Sequence, residues 1–416
     1  MTSAEILPDI PRNVTPPQLE VTGGIYRFYW ERLGVTILIE RMREDSRHVV
    51  SADITIKTDN EGHIHSCRFN MMSTRTRNDI ARYARERDTL NRDWDAIVEQ
   101  ICYMTLNHYR AGEPIVNLGD VSPSTESVYR LKPWVVDGEA TIIYGEGGIG
   151  KSYLAGFMAA LVDQNVHTDL YHPTLGRVLY LDYETTADIA ARRFQSLTEG
   201  FGFNGRSNVL YRFCHQSLPS DINEIQKIVA EEGIDLVIID SAGPACGGDP
   251  ESASSAINYF TALRSLRKAS ITIAHRSKSG STGPFGSVYW VNYPRMSYEL
   301  KKAQDEESDI MHVALIHRKV NDGRLQRPIS FQIKWVDNGI VTVMPESLES
   351  VPDFVTELPL AEQIAQQLRE HGPRTIRQLA DLIEGAKPNT LAVIVSRNRN
   401  RFAQAGNDRW RLVTEE

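Results

Sequence analysis

The chain has 416 residues, 41% of them hydrophobic and 24% charged, with a formal net charge of −8. That length allows two or three domains, and the acidic balance excludes a uniformly basic nucleic-acid coat protein. No run of about 18 apolar residues occurs, so no transmembrane helix is expected. The N-terminal "MTSAEILPDIPRNV" lacks the basic start and apolar core of a signal peptide. Four scattered cysteines without a CxxC pair argue against a disulfide framework or a zinc site, which predicts a cytoplasmic protein with no membrane partner.

Residues 1–20 are polar and Pro-rich and read as an arm or linker. From Gly24 to Met71 the alternation favours strands, with Asp59-Asn60-Glu61-Gly62 as a hairpin turn. Helices follow near 76–90 and 93–111, the second with Trp94, Ile97, Ile101 and Met104 on one face. Residues 1–125 thus form an α+β domain without an assignable role. Six arginines between Arg75 and Arg92 are interleaved with acids, which suits an ion-paired helix surface or a DNA or partner surface.

Past residue 126 the texture changes. Short apolar strands at 141–144, 178–182, 208–213, 235–240 and 270–275 alternate with helices near 150–163, 187–199, 221–232 and 253–268. This alternation predicts an α/β domain with a mostly parallel sheet covered by helices. "HVALIHRK", "ISFQIKW" and "GIVTVM" add further strands, closing a domain over 126–348. A Pro/Glu-rich linker, 349–360, leads to a tail over 361–416 with helices at 361–371, 375–384 and 388–402 and a strand at "RWRLV". Three helices and a β-wing suggest a winged helix. The tail carries 9 Lys and Arg against 7 Asp and Glu, so a local nucleic-acid contact is compatible with the acidic total.

Gly145-Glu146-Gly147-Gly148-Ile149-Gly150-Lys151-Ser152 fits the phosphate-loop pattern GxxxxGK(S/T), between a predicted strand and a predicted helix. Glycines let the backbone wrap around phosphates, and the helix N-terminus adds partial positive charge. Lys151 reaches the β- and γ-phosphates of ATP, Ser152 binds Mg²⁺, and Tyr153 follows in the nucleotide-binding set. Asp240 closes "LVIID" and is expected to organise the magnesium shell. "VLYLDYETT" ends in two acids, Asp182 and Glu184; either a buried strand with a polar end or a catalytic carboxylate accounts for such a stretch.

The ordered set of the phosphate loop, "LYLDYETTADIAARR", "VIIDSAGP", "ITIAHRSKSGSTGPFGSVYWVNYPRMSYEL" and "ALIHRKVNDGRLQRP" resembles the RepA-type plasmid replicative helicases, RecA-fold relatives of DnaB, over residues 131–345. The resemblance implies a RecA-like core. It puts the water-activating acid on Glu184, with Asp182 as a supporting residue. It puts an adenine contact on Arg193 and a γ-phosphate sensor on His275. It implies that the Gly/Ser-rich loop with Arg276 and Lys278 grips single-stranded DNA in a central channel. It also implies that a cation is given in trans from among Arg295, Arg318 and Lys319; "RKVN" departs from the family's lysine patterns, which leaves the choice among the three open. In the tail, Arg397, Arg399 and Arg401 near the end of the third helix are candidate DNA contacts.

The resulting expectation is a Mg²⁺-dependent ATPase working on DNA as a homo-oligomer, a hexamer in the family, with possible replication partners. Its role would be a replicative helicase or translocase of a plasmid, phage or mobile element. The alternatives are an ATP-dependent DNA-binding switch or loader without unwinding, and a regulatory ATPase that never touches nucleic acid.

Overall fold

The computed structural model describes residues 15–112, 115–122, 128–202, 207–277, 283–304, 308–336 and 339–413. The chain divides into two compact units. One comprises the N-terminal residues up to 126 together with Ser220–Gly233, and the other holds Ser127–Pro219 and Ile234 onward.

In the first unit an antiparallel meander is formed by β1 (Gln18–Thr22), β2 (Ile25–Trp30), β3 (Val35–Glu44), β4 (Val50–Thr58) and β5 (Gly62–Asn70), in that spatial order. Alternation in β4 buries Val50, Ala52, Ile54 and Ile56 on one face. Thr58 pairs with Gly62 across the expected hairpin turn. β1 lies in the stretch expected to be an arm; its burial is slight, so no apolar alternation announces it. Two helices, α1 (Thr74–Arg87) and α2 (Trp94–Ala111), start at Ser73 and Asp93, whose side chains accept from Thr76 N and Ala96 N. Trp94, Ile97 and Ile101 are buried against the sheet residues as the spacing predicts. The arginines there are ion-paired: Arg77 with Glu99, Arg85 with Asp95 and Arg92 with Asp88.

The second unit opens with β6 (Tyr129–Lys132) and β7 (Val135–Val136), then β8 (Ala140–Gly145), α3 (Lys151–Gln164), β9 (His172–Pro173), β10 (Arg177–Asp182), α4 (Ala187–Gly200) and β11 (Leu210–Phe213). After α5 (Leu218–Glu231), most of which belongs to the first unit, come β12 (Ile234–Asp240), α6 (Ala242–Ala245), α7 (Ala253–Ser265), β13 (Ala269–His275) and α8 (Tyr289–Asn292). β14 (Met296–Ala303), β15 (Ile310–Val320), β16 (Ile329–Val336) and β17 (Ile340–Glu346) complete the sheet. Among the described residues its order is β11-β10-β12-β13-β8-β14-β15-β16-β17. The strands from β11 to β14 run parallel and the last three pair antiparallel. This is an α/β arrangement around a mostly parallel sheet. β14 was expected only as a motif; two-face burial gives it a continuous apolar and polar mix rather than alternation.

Near-continuous apolar runs in β8, β10, β12 and β13 reflect strands covered on both faces. The interior joins Ile143, Leu154, Phe157, Tyr180, Ile238, Ile271 and Phe331. β8 lies between β13 and β14, while the chain next enters this sheet at β10, with β13 and β12 lying between the two. Such a crossing leaves a crevice at the carboxyl ends of the strands, where ligands bind in open α/β sheets.

The stretch expected as a linker is partly structured. Two 3₁₀ turns, Leu348–Ser350 and Pro352–Glu357, bury Leu348, Val351 and Phe354 against Ala303, Ala314 and Ile316. The tail forms α9 (Leu360–His371), β18 (Arg374–Thr375), α10 (Ile376–Leu382), α11 (Pro388–Arg397), β19 (Phe402–Gln404) and β20 (Arg409–Leu412). Its strands are ordered β18-β20-β19 around Ile364, Leu379, Leu391, Val395 and Phe402. α11 stops at Arg397, short of the expected 402, because Phe402 pairs with Leu412 in the sheet. No described helix is long and apolar enough to cross a membrane.

Candidate nucleotide site

The phosphate loop joins β8 to α3. Gly148 and Gly150 have φ of +71° and +84°, which disfavours a side chain. A Cβ on Gly150 would also meet Met311 Cε at 2.6 Å, a flexible tip that can move aside, so it is the positive φ that favours glycine there. Gly145 is closed in, and a Cβ there would meet the Leu300 carbonyl at 2.6 Å. Gly147 and Gly148 face open space, with Glu146 exposed beside them and Ile149 buried as the loop's anchor. No side chain caps the N-terminus of α3, so its first amides are not taken up by a cap.

Lys151 is buried, and its ammonium donates to the carbonyls of Gly145, at 3.1 Å, and Glu146. Burial lowers its pKa, while Asp240, Glu184 and Glu146 pull the other way. Asp240 accepts from Tyr180 OH at 2.5 Å and from Ser152. Burial raises its pKa, the Tyr180 and Ser152 bonds oppose this, and the charges of Asp182 and Glu184 add to the rise. An acid held this way, next to a buried ammonium, is short of positive charge.

Register explains the meeting. Asp182 lies beside Asp240, Asp240 beside Ile273, and His275 beside Gly145. One strand separates β12 from β8, so Asp240 stands about 10 Å across the sheet from the loop strand. Asp182 is fully buried and accepts from the amides of Glu184 and Thr185, both at 2.9 Å, and from the Thr185 hydroxyl. Ser241, reached through a cis Asp240–Ser241 peptide, donates its hydroxyl to Glu184. Arg193 reaches from α4 to Asp240 at 3.9 Å, with its guanidinium 5.5 Å from the centre of the Tyr153 ring.

Residues Gly148 to Tyr153, Glu184, Arg193, Asp240, Ser241 and His275 line one cavity of about 310 Å³. Ile273, Gln304, Met311 and Trp335 share it. The last three were not among the expected site residues; they lie on or beside β14, β15 and β16, far along the chain from the phosphate loop.

Residues 114–281 match the family described as "AAA domain". The matched stretch contains the phosphate loop and the strands that end in Asp182 and Asp240, and in this it is similar to P-loop ATPase domains. No curated protein matches the chain. Solved structures with a partial likeness include a KaiC-like protein from Pyrococcus horikoshii, at 13% identity and a TM-score of 0.39, covering 53% of this chain and 99% of that one. Another is the flagellar accessory protein FlaH from Methanocaldococcus jannaschii, at 16% identity and a TM-score of 0.35, covering 51% and 90%.

The residues fit a magnesium nucleotide. An uncapped helix start, a glycine cradle and a buried ammonium suit phosphates, and the Ser152–Asp240 pair is an oxygen donor set suited to a hard cation.

The other expected site residues lie elsewhere. Arg276 pairs with the buried Glu299 at 3.1 Å, and Arg318 binds the same carboxylate as well as Glu357. The Lys319 ammonium donates to the carbonyls of Val291, Asn292 and Pro294. Arg295 is more exposed, with longer pairs to Glu139 at 3.4 Å and Asp322 at 3.8 Å. Lys278 falls outside the described residues. In the tail, Arg401 grips both oxygens of the buried Glu362, which also binds Arg327. Arg397 and Arg399 are exposed.

Proposed function

We propose that the chain is a Mg²⁺-dependent ATPase that acts on DNA as a replicative helicase or translocase of a plasmid, phage or other mobile element. It works as a ring of identical subunits, a hexamer by analogy with the family it resembles. The observation that carries the enzymatic part is the meeting of Lys151, Ser152, Asp240 and Glu184 in one cavity.

In this reading the loop amides and Lys151 hold the β- and γ-phosphates. Ser152 and Asp240 hold magnesium, which when bound neutralises charge on the transferred phosphoryl group. Glu184 orients the attacking water, and its own aim is set from two sides by the Asp182-bound turn and by Ser241. His275, at the end of the strand next to the loop strand, responds to the γ-phosphate. Arg295 is the cation offered to a neighbouring subunit, since it is more exposed and its pairs with Glu139 and Asp322 are longer than those of Arg318 and Lys319. The segment with Arg276 and Lys278 tracks single-stranded DNA, and the tail, as a winged helix, contacts DNA through Arg397 and Arg399. Arg401 serves that surface indirectly by fixing its base to α9.

A second reading, a DNA-binding switch or loader, draws support from the tail. Arg397, Arg399, Arg409 and Arg411 are all exposed there, a basic surface that needs no unwinding to be useful. ATPase and strand-displacement assays on a forked DNA separate the two. Stimulated hydrolysis with displacement is the expected result. Stimulation without displacement selects the switch, and an ATPase indifferent to single-stranded DNA removes both. Glu184→Gln is expected to bind ATP with near-native affinity while turnover drops about 100-fold or more; turnover within a few-fold of wild type removes the role of Glu184.

A further inference from the structure

Glu299 is a carboxylate with two unequal partners. It stands on β14 beside Tyr144 of β8, and only 3% of its side chain is exposed. Arg318, from β15, donates its Nε to Glu299 Oε2 at 2.8 Å and brings Nη2 to 2.6 Å from the same oxygen. That guanidinium also reaches Glu357 at 2.8 Å, and Glu357 holds Lys301 as well. Arg276 approaches the other oxygen. Its guanidinium is 3.1 Å from Oε1, yet Oε1 takes no aligned hydrogen bond among the described residues. A pair at contact distance without alignment is the weaker of the two grips.

The backbone of Arg276 is fixed, whereas its side chain is held at this one point. Its amide donates to the Gly145 carbonyl at 2.9 Å. On either side, the amides of Ser277 and Phe285 donate to the carbonyls of Gly283 and His275, at 3.1 and 2.7 Å. The Arg276 side chain is 32% exposed, so a solute reaches the guanidinium but not the carboxylate behind it. Rotation of that side chain trades Glu299 for an outside anion and leaves Glu299 with Arg318, so the exchange strands no buried charge. The outside anion has to offer oxygens to a planar fork, and has to be held at neighbouring points as well. The phosphodiesters of a single strand meet both demands.

We propose that Glu299 is a positioning residue that latches Arg276, and that single-stranded nucleic acid takes Arg276 only in exchange for this carboxylate. At rest Arg276 is neutralised within its own chain, and a phosphate has to outcompete Glu299 to gain it. The inference rests on the reading above in which Arg276 contacts DNA, and adds what that contact displaces.

The test is a double-mutant cycle on the full chain, with affinity for fluorescein-labelled oligo(dT) measured at one fixed salt concentration. It compares wild type, Glu299→Gln, Arg276→Ala and the double variant. Glu299→Gln is expected to bind about 2- to 5-fold more tightly, the worth of one partly exposed ion pair. Arg276→Ala should bind more weakly than wild type, and the double variant no more tightly than Arg276→Ala. An unchanged or weaker affinity in Glu299→Gln overturns the latch, and leaves the DNA contact standing if Arg276→Ala is still weakened. A gain that survives in the double variant also overturns it, since the effect then does not pass through Arg276. If Arg276→Ala matches wild type, or if wild type and Glu299→Gln both leave the oligonucleotide unbound, the DNA contact falls and the latch with it.

Should Glu299→Gln fail to fold, Glu299→Asp keeps a charge for Arg318 and draws it back from Arg276. A gain in affinity that disappears when Arg276→Ala is added is again expected, and its absence overturns the latch.

Discussion

Asp182 and Glu184 sit two residues apart and do different work. Asp182 is buried at the end of β10 and spends its oxygens on the turn that follows, while Glu184 emerges into the cavity. Asp240 is the acid under the greatest electrostatic pressure, since burial and two neighbouring carboxylates all favour its protonated form. The sign of the linkage follows. A carboxyl whose folded pKa is raised lets the folded state bind the extra proton, so its contribution to stability falls as pH rises through the raised value. Asp240→Asn is therefore expected to gain in melting temperature over wild type as pH rises from about 4 to 7, measured without magnesium. Its Mg²⁺-dependent hydrolysis should fall by about 100-fold or more. A difference in melting temperature that does not change with pH counts against the assigned strain on Asp240.

Among the elements, the phosphate loop, its strand and its helix were legible because the motif requires glycine where φ is positive and a lysine at the helix start. The parallel strands were legible from their apolar runs. β14 escaped because its buried polar residues Ser297 and Glu299 break such a run; Glu299 is held by Arg276 and Arg318, partners from other elements. The segment expected as a plain linker escaped for a related reason. Its Pro/Glu-rich composition reads as solvated, yet Glu357 is paired with Lys301 and Arg318, and Phe354 is buried. Phe354→Ala should lower stability by about 3 kcal/mol, seen as a lower urea midpoint. A shift near zero would mean that the segment is not docked in solution.

At the scale of the whole molecule, the proposed cation in trans makes hydrolysis depend on assembly. The rate per subunit is expected to rise steeply with protein concentration, and Arg295→Ala should remove that rise and lower the saturated rate about 10³-fold. Nucleotide binding by the isolated subunit should persist. If Arg318→Ala rather than Arg295→Ala abolishes the rise, the pairs of Arg318 with Glu299 and Glu357 open on assembly and the assignment moves to it. A concentration-independent rate removes the trans cation altogether.

The sequence alone determined the phosphate loop, the βαβ alternation around it, and the acids at two strand ends, because those features depend on local φ/ψ demands and on burial patterns read along the chain. Tertiary structure alone decided which side chains share the cavity. Strand order carries β10 and β12 to the same edge as β8, the end of β14 adds Gln304, and the antiparallel β15 and β16 add Met311 and Trp335. It also decided which cations are already engaged: Arg401 by Glu362, Arg276 and Arg318 by Glu299, and Lys319 by three carbonyls. The partners of Arg401 and Arg318 lie as many as 39 positions away, and no pattern along the chain records a partner met only across the fold.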